Sequence, residues 1–342
     1  MKTGYMLINL GSPDSPDTAD VRRYLRQFLS DPRVIDISPI GRWLLLNLVI
    51  LPFRPKQSGA AYREIWTERG SPLVFHGRDL VEAVQERLGD EVNVTLGMRY
   101  GSPSIREALA QLTAQGAERI VALPLFPQYS SAAWGSAAQE LFDVVGSGWN
   151  VPPIEVRPVF YEHPGYIGGF VSAARHVMEE GPPVDKVLFS FHGVPERHCS
   201  KSAPGHCFAS ESCCDAIVAA NRDCYRAQCF ASARAMAGPN GLALDDGAWE
   251  VTFQSRLGRT PWVQPYTDVR VQELARAGAR RVVVLSPSFV ADCLETLEEI
   301  AMRAAEDFRA HSPHGDDARL DLVPSLNASG AWADAVAEML TG

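Results

Sequence analysis

Apolar runs of about half a dozen residues recur along the chain, separated by stretches whose apolar positions repeat with a helical period. The runs near 4–10, 93–98, 119–125, 154–159, 186–191, 249–254, 281–286 and 319–323 read as strands. The stretches 75–88, 104–115, 165–179, 267–277 and 293–309 read as amphipathic helices. Alternation of this kind predicts α/β architecture with parallel sheets flanked by helices. The chain also resembles itself at a spacing of roughly 160 residues. Gly116 to Leu123 returns as Gly278 to Leu285, and Val94-Thr95, Arg99 and Gly101 return as Val251-Thr252, Arg256 and Gly258. Two similar Rossmann-like lobes with a central cleft are therefore expected. The first should cover 1–150, the second 151–305 with a cysteine-rich insert at about 199–229, and 306–342 should pack back on the first lobe. A hinge is expected near 145–153, where Gly-Ser-Gly-Trp-Asn and Pro152-Pro153 occur.

One apolar segment has no polar face. Trp43 to Phe53 is too short to cross a bilayer and carries Asn47 inside it. It reads either as a buried helix or as an apolar lip over a cleft, resting peripherally on a membrane, with Arg54 and Lys56 suited to an acidic group.

Bulk properties then narrow the function. The 342 residues carry a net charge of -9 and no basic cluster interleaved with aromatics, which argues against nucleic-acid binding. No G-x-G-x-x-G follows a predicted strand and there is no Walker A loop, so dinucleotide or ATP use has no support. The N-terminus reads as a strand rather than a signal peptide, so a cytoplasmic protein with reduced thiols is expected.

Two segments carry candidate chemistry. Leu188 to Pro195 reads as a strand that ends by presenting His192 in a Gly/Pro turn. Ala291 to Glu299 reads as a strand-to-helix turn that Asp292 can cap, with Asp292, Glu295 and Glu299 on one helical face at i, i+3 and i+7. In open α/β sheets ligands gather beyond the carboxyl ends of strands, where both segments lie. A neutral imidazole facing carboxylates can take up protons, hold a hard divalent cation, or both.

Six of the seven cysteines crowd into one window: Cys199, Cys207, Cys213, Cys214, Cys224 and Cys229. Free thiols, a structural zinc site with His198 and His206 as extra ligands, and an iron–sulfur cluster are the competing readings; no C-x-x-C pair decides among them. Cys293 stands apart and reads as a small packed residue.

Taken together, these residues resemble the ferrochelatase family, enzymes that insert ferrous iron into a porphyrin to make haem. The resemblance runs through Ile8 to Pro13, Arg22 to Leu25, Phe28 to Arg33, Met98 to Gly101 and Phe126 to Ser130. It continues through Ser190 to Gly193, Thr252 to Gly258, Trp262, Pro265 to Asp268 and Ala291 to Ile300. It implies His192 as the catalytic histidine and Glu295 as the carboxylate opposite it, with both meeting the substrate Fe²⁺, and Asp292 and Glu299 behind. For the porphyrin it points to Leu10, Tyr62, Ser71, Arg99, Tyr129 and Trp262. Relatives that act on coproporphyrin tend to carry tyrosine at the position of Leu10, so protoporphyrin IX is the expected substrate. The cysteine window resembles the bacterial subgroup with an internal [2Fe–2S] segment, four ligands coming from Cys207, Cys213, Cys214, Cys224 and Cys229, with Cys199 the outside candidate. Monomer or weak dimer is the expected assembly. Coproporphyrin III iron insertion, cobalt insertion into a related tetrapyrrole, a non-enzymatic tetrapyrrole or metal carrier, and an iron–sulfur electron-transfer protein are the alternatives.

Overall fold

The structure is a computed structural model that describes residues 2–256, 258 and 260–342. Met1, at the head of the first strand-like run, and Leu257, inside the Thr252 to Gly258 motif, lie outside the described residues.

The first half of the chain folds as β1 (Thr3–Ser12), α1 (Thr18–Ser30), α2 (Pro39–Leu44), α3 (Leu51–Ile65), α4 (Pro72–Leu88), β2 (Asn93–Gly101), α5 (Ile105–Ala114), β3 (Arg119–Pro124), α6 (Ser136–Gly146) and β4 (Ile154–Val156). Its sheet is parallel, in the order β2-β1-β3-β4. Met6, Ile8, Ile120 and Ala122 pack from the sheet onto Ile105, Leu112, Ala137 and Leu141 of the helices. Local signals set the helix ends. Ser104 and Glu107 close a reciprocal capping box at the start of α5, and Pro72 occupies the first turn of α4 where no amide is needed.

The second half gives α7 (Pro164–Glu179), β5 (Lys186–His192), α8 (Glu196–Ser202), α9 (Tyr225–Ala237), β6 (Trp249–Gln254), α10 (Thr267–Arg276), β7 (Arg281–Leu285), α11 (Leu294–Thr296), α12 (Ala305–His311) and β8 (Arg319–Leu322). This sheet is again parallel, in the order β6-β5-β7-β8. The repeat read from the sequence is thus a repeat of topology: β3 and β7 hold the same place, as do β2 and β6. Leu188, Val282 and Val284 pack on Val271, Ile300 and Phe308. Arg281, wholly buried on a central strand, is satisfied by Asp321 at 2.8 Å and by the carbonyls of Val177 and Pro182 at 2.6 Å. The chain ends with α13 (Gly330–Thr341), which packs on α4, where Arg87 reaches Asp334 and the Gly330 carbonyl.

The contacts divide the chain into one unit of Met1–Phe126, Ser131–Val159 and Asn327–Gly342 and another of Pro127–Ser130 and Phe160–Leu326. The divisions expected at 150/151 and 305/306 lie elsewhere because β4 pairs with β3 and β8 pairs with β7, which carries each edge strand into its own sheet.

The segment after α2 continues as a π-helix, Leu45–Ile50, into α3. Leu46, Ile50 and Leu51 pack inward on Leu29 and Ile35, while Ile40, Trp43, Leu48 and Phe53 face outward, Trp43 at 60% and Phe53 at 73% exposure. The segment thus presents one exposed apolar face and is not a buried helix. No helix among the described residues is long and apolar enough to cross a membrane.

Candidate functional site

His192 is the last residue of β5, opposite Gln254 at the end of β6. Its backbone is held on both sides of the Cα: the N–H donates to Ser288 Oγ at 3.3 Å, and Tyr225 donates its hydroxyl to the carbonyl at 2.8 Å. The Tyr225 and Ser288 hydroxyls are themselves 2.8 Å apart. The next residue must be glycine, because a Cβ on Gly193 would lie 2.8 Å from the Gln254 carbonyl and 3.2 Å from the Trp262 ring. Within the imidazole, Nδ1 lies 2.6 Å from the Gly193 carbonyl. A carbonyl only accepts, so Nδ1 carries the proton and Nε2 keeps the lone pair in the neutral ring.

The carboxylates come from the segment after β7. Cys293, not Asp292, is the N-cap of α11, and Asp292 lies before the helix. Its Oδ1 accepts from Thr296 Oγ1 at 3.1 Å and from the Ser325 N–H at 3.2 Å. From Leu297 to Ala304 the chain is π-helical, so the α-helical spacing that placed Asp292, Glu295 and Glu299 on one face does not run through the segment. Glu295 and Glu299 do remain neighbours. Burial first, and then the like charge of Glu295, push the Glu299 carboxyl above its ordinary range, while Ser255, Arg303 and His192 pull it back. Gln254 Nε2 donates to the Glu295 carbonyl at 2.8 Å and to Glu299 Oε2 at 3.3 Å, and Ser255 Oγ donates to the same carboxylate. Ser255 holds φ at +65°, a left-handed conformation uncommon outside glycine and a frequent mark of functional turns. Behind this edge, Ser190 Oγ donates to Gln254 Oε1 at 2.8 Å, which fixes the amide, and lies 2.8 Å from the Thr267 hydroxyl.

The cysteine window folds between α8 and α9. Sulfur atoms of Cys199, Cys207 and Cys224 all lie within 4.8 Å of one another, with Cys207 and Cys224 at 3.8 Å. Cys214 adjoins Cys224 closely enough for the two to influence each other's ionisation, and its sulfur lies 3.8 Å from that of Cys213. Cys224 is the N-cap of α9, and the next amides point into the group: Arg226 N–H donates to the Cys199 sulfur and Ala227 N–H to that of Cys224. The Arg226 guanidinium adds a hydrogen bond to Cys214 Sγ at 3.1 Å. Hydrogen bonds from the three neighbouring thiols of Cys199, Cys207 and Cys214, helped by the Ala227 amide, hold the Cys224 thiol far below its usual range against burial. Cys229 lies outside this group; it is fully buried, and burial pushes its thiol up. Cys199, expected only as an outside candidate, is among the converging sulfurs. Asn221 fixes the loop by donating to the carbonyls of Cys213 at 3.0 Å and Ala216 at 2.9 Å. His206 approaches the group only as a partner of the Cys213 carbonyl, at 3.2 Å.

The expected porphyrin contacts are distributed as follows. In the first unit, Leu10 lies near the end of β1, half-buried, Tyr62 is buried edge-on to Trp66, and Ser71 is buried at the N-cap of α4. Arg99 is already engaged, with Asp31 at 2.9 Å, Ser136 Oγ at 2.7 Å and Glu140 at 3.2 Å, so its guanidinium forms part of a wall. In the second unit, Tyr129 is anchored through its N–H to Gln228 Oε1 at 2.6 Å, and Trp262 bridges to Pro195 beside the His192 turn. Tyr225, Ser288, Gln254, Ser255 and Arg226 were not singled out in the sequence, although four of them lie inside segments that were. Only the fold shows which backbone groups and carboxylates they meet.

Comparison with known proteins follows the same lines. The model of the family described as Ferrochelatase matches residues 2–342. A curated Ferrochelatase of Coxiella burnetii (strain RSA 493 / Nine Mile phase I) is 45% identical over 339 residues, covering 99% of this chain and 93% of that protein. One of Legionella pneumophila (strain Corby) is 43% identical over 336 residues, covering 98% of each. Among solved structures, SirB from Bacillus subtilis with Fe³⁺ aligns at a TM-score of 0.51 and 13% identity over 100% of this chain and 96% of that one. The sirohydrochlorin chelatase SirB of Bacillus subtilis subspecies spizizenii in complex with cobalt aligns at 0.53 and 10% identity, over 99% and 94%. At such identities the likeness is one of fold.

Proposed function

We infer function from membership: the chain belongs to the ferrochelatase family, whose reaction is iron insertion into a porphyrin for haem synthesis. We propose protoporphyrin IX as the porphyrin, with His192 and Glu295 as the residues that carry the reaction. Two pyrrole protons must leave as Fe²⁺ enters. His192, with Nδ1 protonated toward Gly193, offers Nε2 as the proton acceptor or as a transient iron ligand. Glu295 and Glu299 offer hard oxygen donors, which bind ferrous iron weakly enough to release it to four nitrogens. Glu299, raised by burial and by Glu295, is suited to pass protons on to solvent past Arg303, which pairs with its carboxylate, while Asp292 holds the turn from behind. The observation that supports this most is the imidazole with a defined tautomer set within electrostatic reach of that carboxylate pair. Leu10 cannot coordinate iron and favours protoporphyrin IX over coproporphyrin III. Leu10, Tyr62, Ser71, Arg99, Tyr129 and Trp262 are proposed to contact the ring, Arg99 through its wall rather than a free guanidinium.

The cysteine group supports a resident [2Fe–2S] cluster in preference to zinc, as in the bacterial subgroup with an internal segment. Its donor set fits: clustered sulfurs, two helix amides and a guanidinium favour thiolates over thiols. Cys199, Cys207, Cys214 and Cys224 are the proposed ligands, Cys213 being the neighbour in reserve. A cluster there would cross-link the start of α9 to α8. The exposed apolar face of the lip supports peripheral contact with a lipid surface on the cytoplasmic side.

Anaerobic incubation of the protein with Fe²⁺ and either porphyrin, followed in the visible spectrum, tests the reading. Haem formation with protoporphyrin IX faster than with coproporphyrin III is expected. Turnover of neither ring by folded protein would favour a tetrapyrrole carrier.

A further inference from the structure

The first turn of α9 touches both the cysteine group and the His192 turn. Cys224 caps the helix, and the Arg226 and Ala227 amides point at sulfur. Between them stands Tyr225, buried, with its hydroxyl on the His192 carbonyl and Ser288. These bonds hold the two peptide groups that flank the His192 Cα, because Ser288 takes the N–H of the preceding one and Tyr225 serves the carbonyl of the following one. The chain on the far side of His192 closes a second route. Gly193, Val194 and Pro195 lead directly into α8, which carries Cys199. The cysteine group therefore holds both elements that frame the His192 peptide.

We propose that Tyr225 is a positioning residue for the His192 imidazole, and that through it the filling of the cysteine site sets how firmly His192 is held. The proposal rests on the reading that His192 takes the pyrrole protons. A filled site ties the start of α9 to α8 and keeps the Tyr225 hydroxyl on the His192 carbonyl. An emptied site leaves the start of α9 without its tie to α8, which frees the first turn of α9 and loosens that bond.

Four proteins decide it: the wild type, Tyr225→Phe, which keeps the ring and removes the hydroxyl, Cys224→Ser, with Cys214→Ser as a substitute if Cys224→Ser does not fold, and the double variant. The primary readout is hydrogen–deuterium exchange of the His192 amide, and the others are bound iron and sulfide and the kinetics of porphyrin metallation. For Tyr225→Phe, exchange at His192 should rise by about tenfold, the worth of one hydrogen bond. Its kcat should fall by a similar factor while KM for porphyrin and the bound iron stay unchanged. The cysteine variant should lose iron and show the same rise in exchange, and the double variant should be no worse than either single one. Unchanged exchange at His192 in Tyr225→Phe, or effects of the two variants that simply add, would overturn the proposal. A wild type that metallates no porphyrin would sink the functional reading instead, and the exchange measurements would still decide the coupling.

Discussion

Asp31 in the first unit and Glu299 in the second are both carboxylates withdrawn from water, and their surroundings push them in opposite directions. Burial would raise Asp31, but hydrogen bonds from Ser136, the Arg33 amide and Tyr100, with the charge of Arg99, outweigh it and lower its pKa. Glu299 is raised by burial and by the neighbouring Glu295, against which Ser255, Arg303 and His192 are too weak. One carboxylate completes a network; the other is left in an environment that favours its protonated form. The same contrast appears in the sheets. Counting on from Leu7, paired with Leu123, and from Phe189, paired with Leu285, the residue three further along is Leu10 in one sheet and His192 in the other. Both third strands are followed by π-helical turns, Ser131–Gly135 and Leu297–Ala304, but only the second carries a carboxylate pair. Repeated topology supplies the place, and a few side chains supply the chemistry.

The largest effect should come from the carboxylates after the two third strands. Glu295→Gln should slow metal insertion by about a hundredfold or more, the usual worth of a group acting in proton or metal transfer, whereas Glu140→Gln should change it only a few-fold. Steady-state metallation rates measured side by side would break the comparison if the two variants fell equally.

The two close glycine approaches come next. A Cβ on Gly11 would sit 1.7 Å from the Tyr100 carbonyl at φ +114°, while one on Gly193 meets the Gln254 carbonyl at 2.8 Å. Gly11→Ala should cost about 3 kcal/mol or more and Gly193→Ala about 1–2 kcal/mol in denaturant unfolding, with insertion lost out of proportion only in Gly193→Ala. Equal activity losses would say that the His192 turn is no more demanding than the β1 end.

The smallest effect is a difference in pH dependence. Asp31, lowered in the folded state, contributes stability above the ordinary Asp range near about 3.9 that is lost as pH falls through its folded value. Glu299, raised, withholds stability as pH climbs past the ordinary Glu range near about 4.3. Asp31→Asn should therefore be less stable at neutral pH, with a flatter acid limb, and Glu299→Gln more stable above that window. Urea midpoints between acid and neutral pH check both signs.

The strands were legible because parallel sheets covered on both faces require near-continuous apolar runs, and all of the expected runs became strands. The His192 turn and the Glu295 and Glu299 neighbours were legible for a related reason: strand ends are where side chains can leave the core. What escaped depends on contacts distant in sequence. Asp292 left the carboxylate face because the helix begins only after Cys293, and that start and the change from α to π winding after Thr296 depend on how the segment packs, not on its composition. Tyr225 and Ser288 act on backbone groups of His192, and no side-chain pattern records such partners. Cys229 reads like its neighbours by composition, yet it is five residues along the helix capped by Cys224 and falls on the buried side, while Cys199 arrives from α8.

The most direct measurement is the rate of Fe²⁺ insertion into protoporphyrin IX by His192→Ala and Leu10→Ala, the two counterparts at the strand ends. The account predicts a loss of about a hundredfold to ten-thousandfold for His192→Ala, with folding and cysteine-bound metal intact, and only a modest change for Leu10→Ala. A His192→Ala protein that inserts iron at close to the wild-type rate would contradict it.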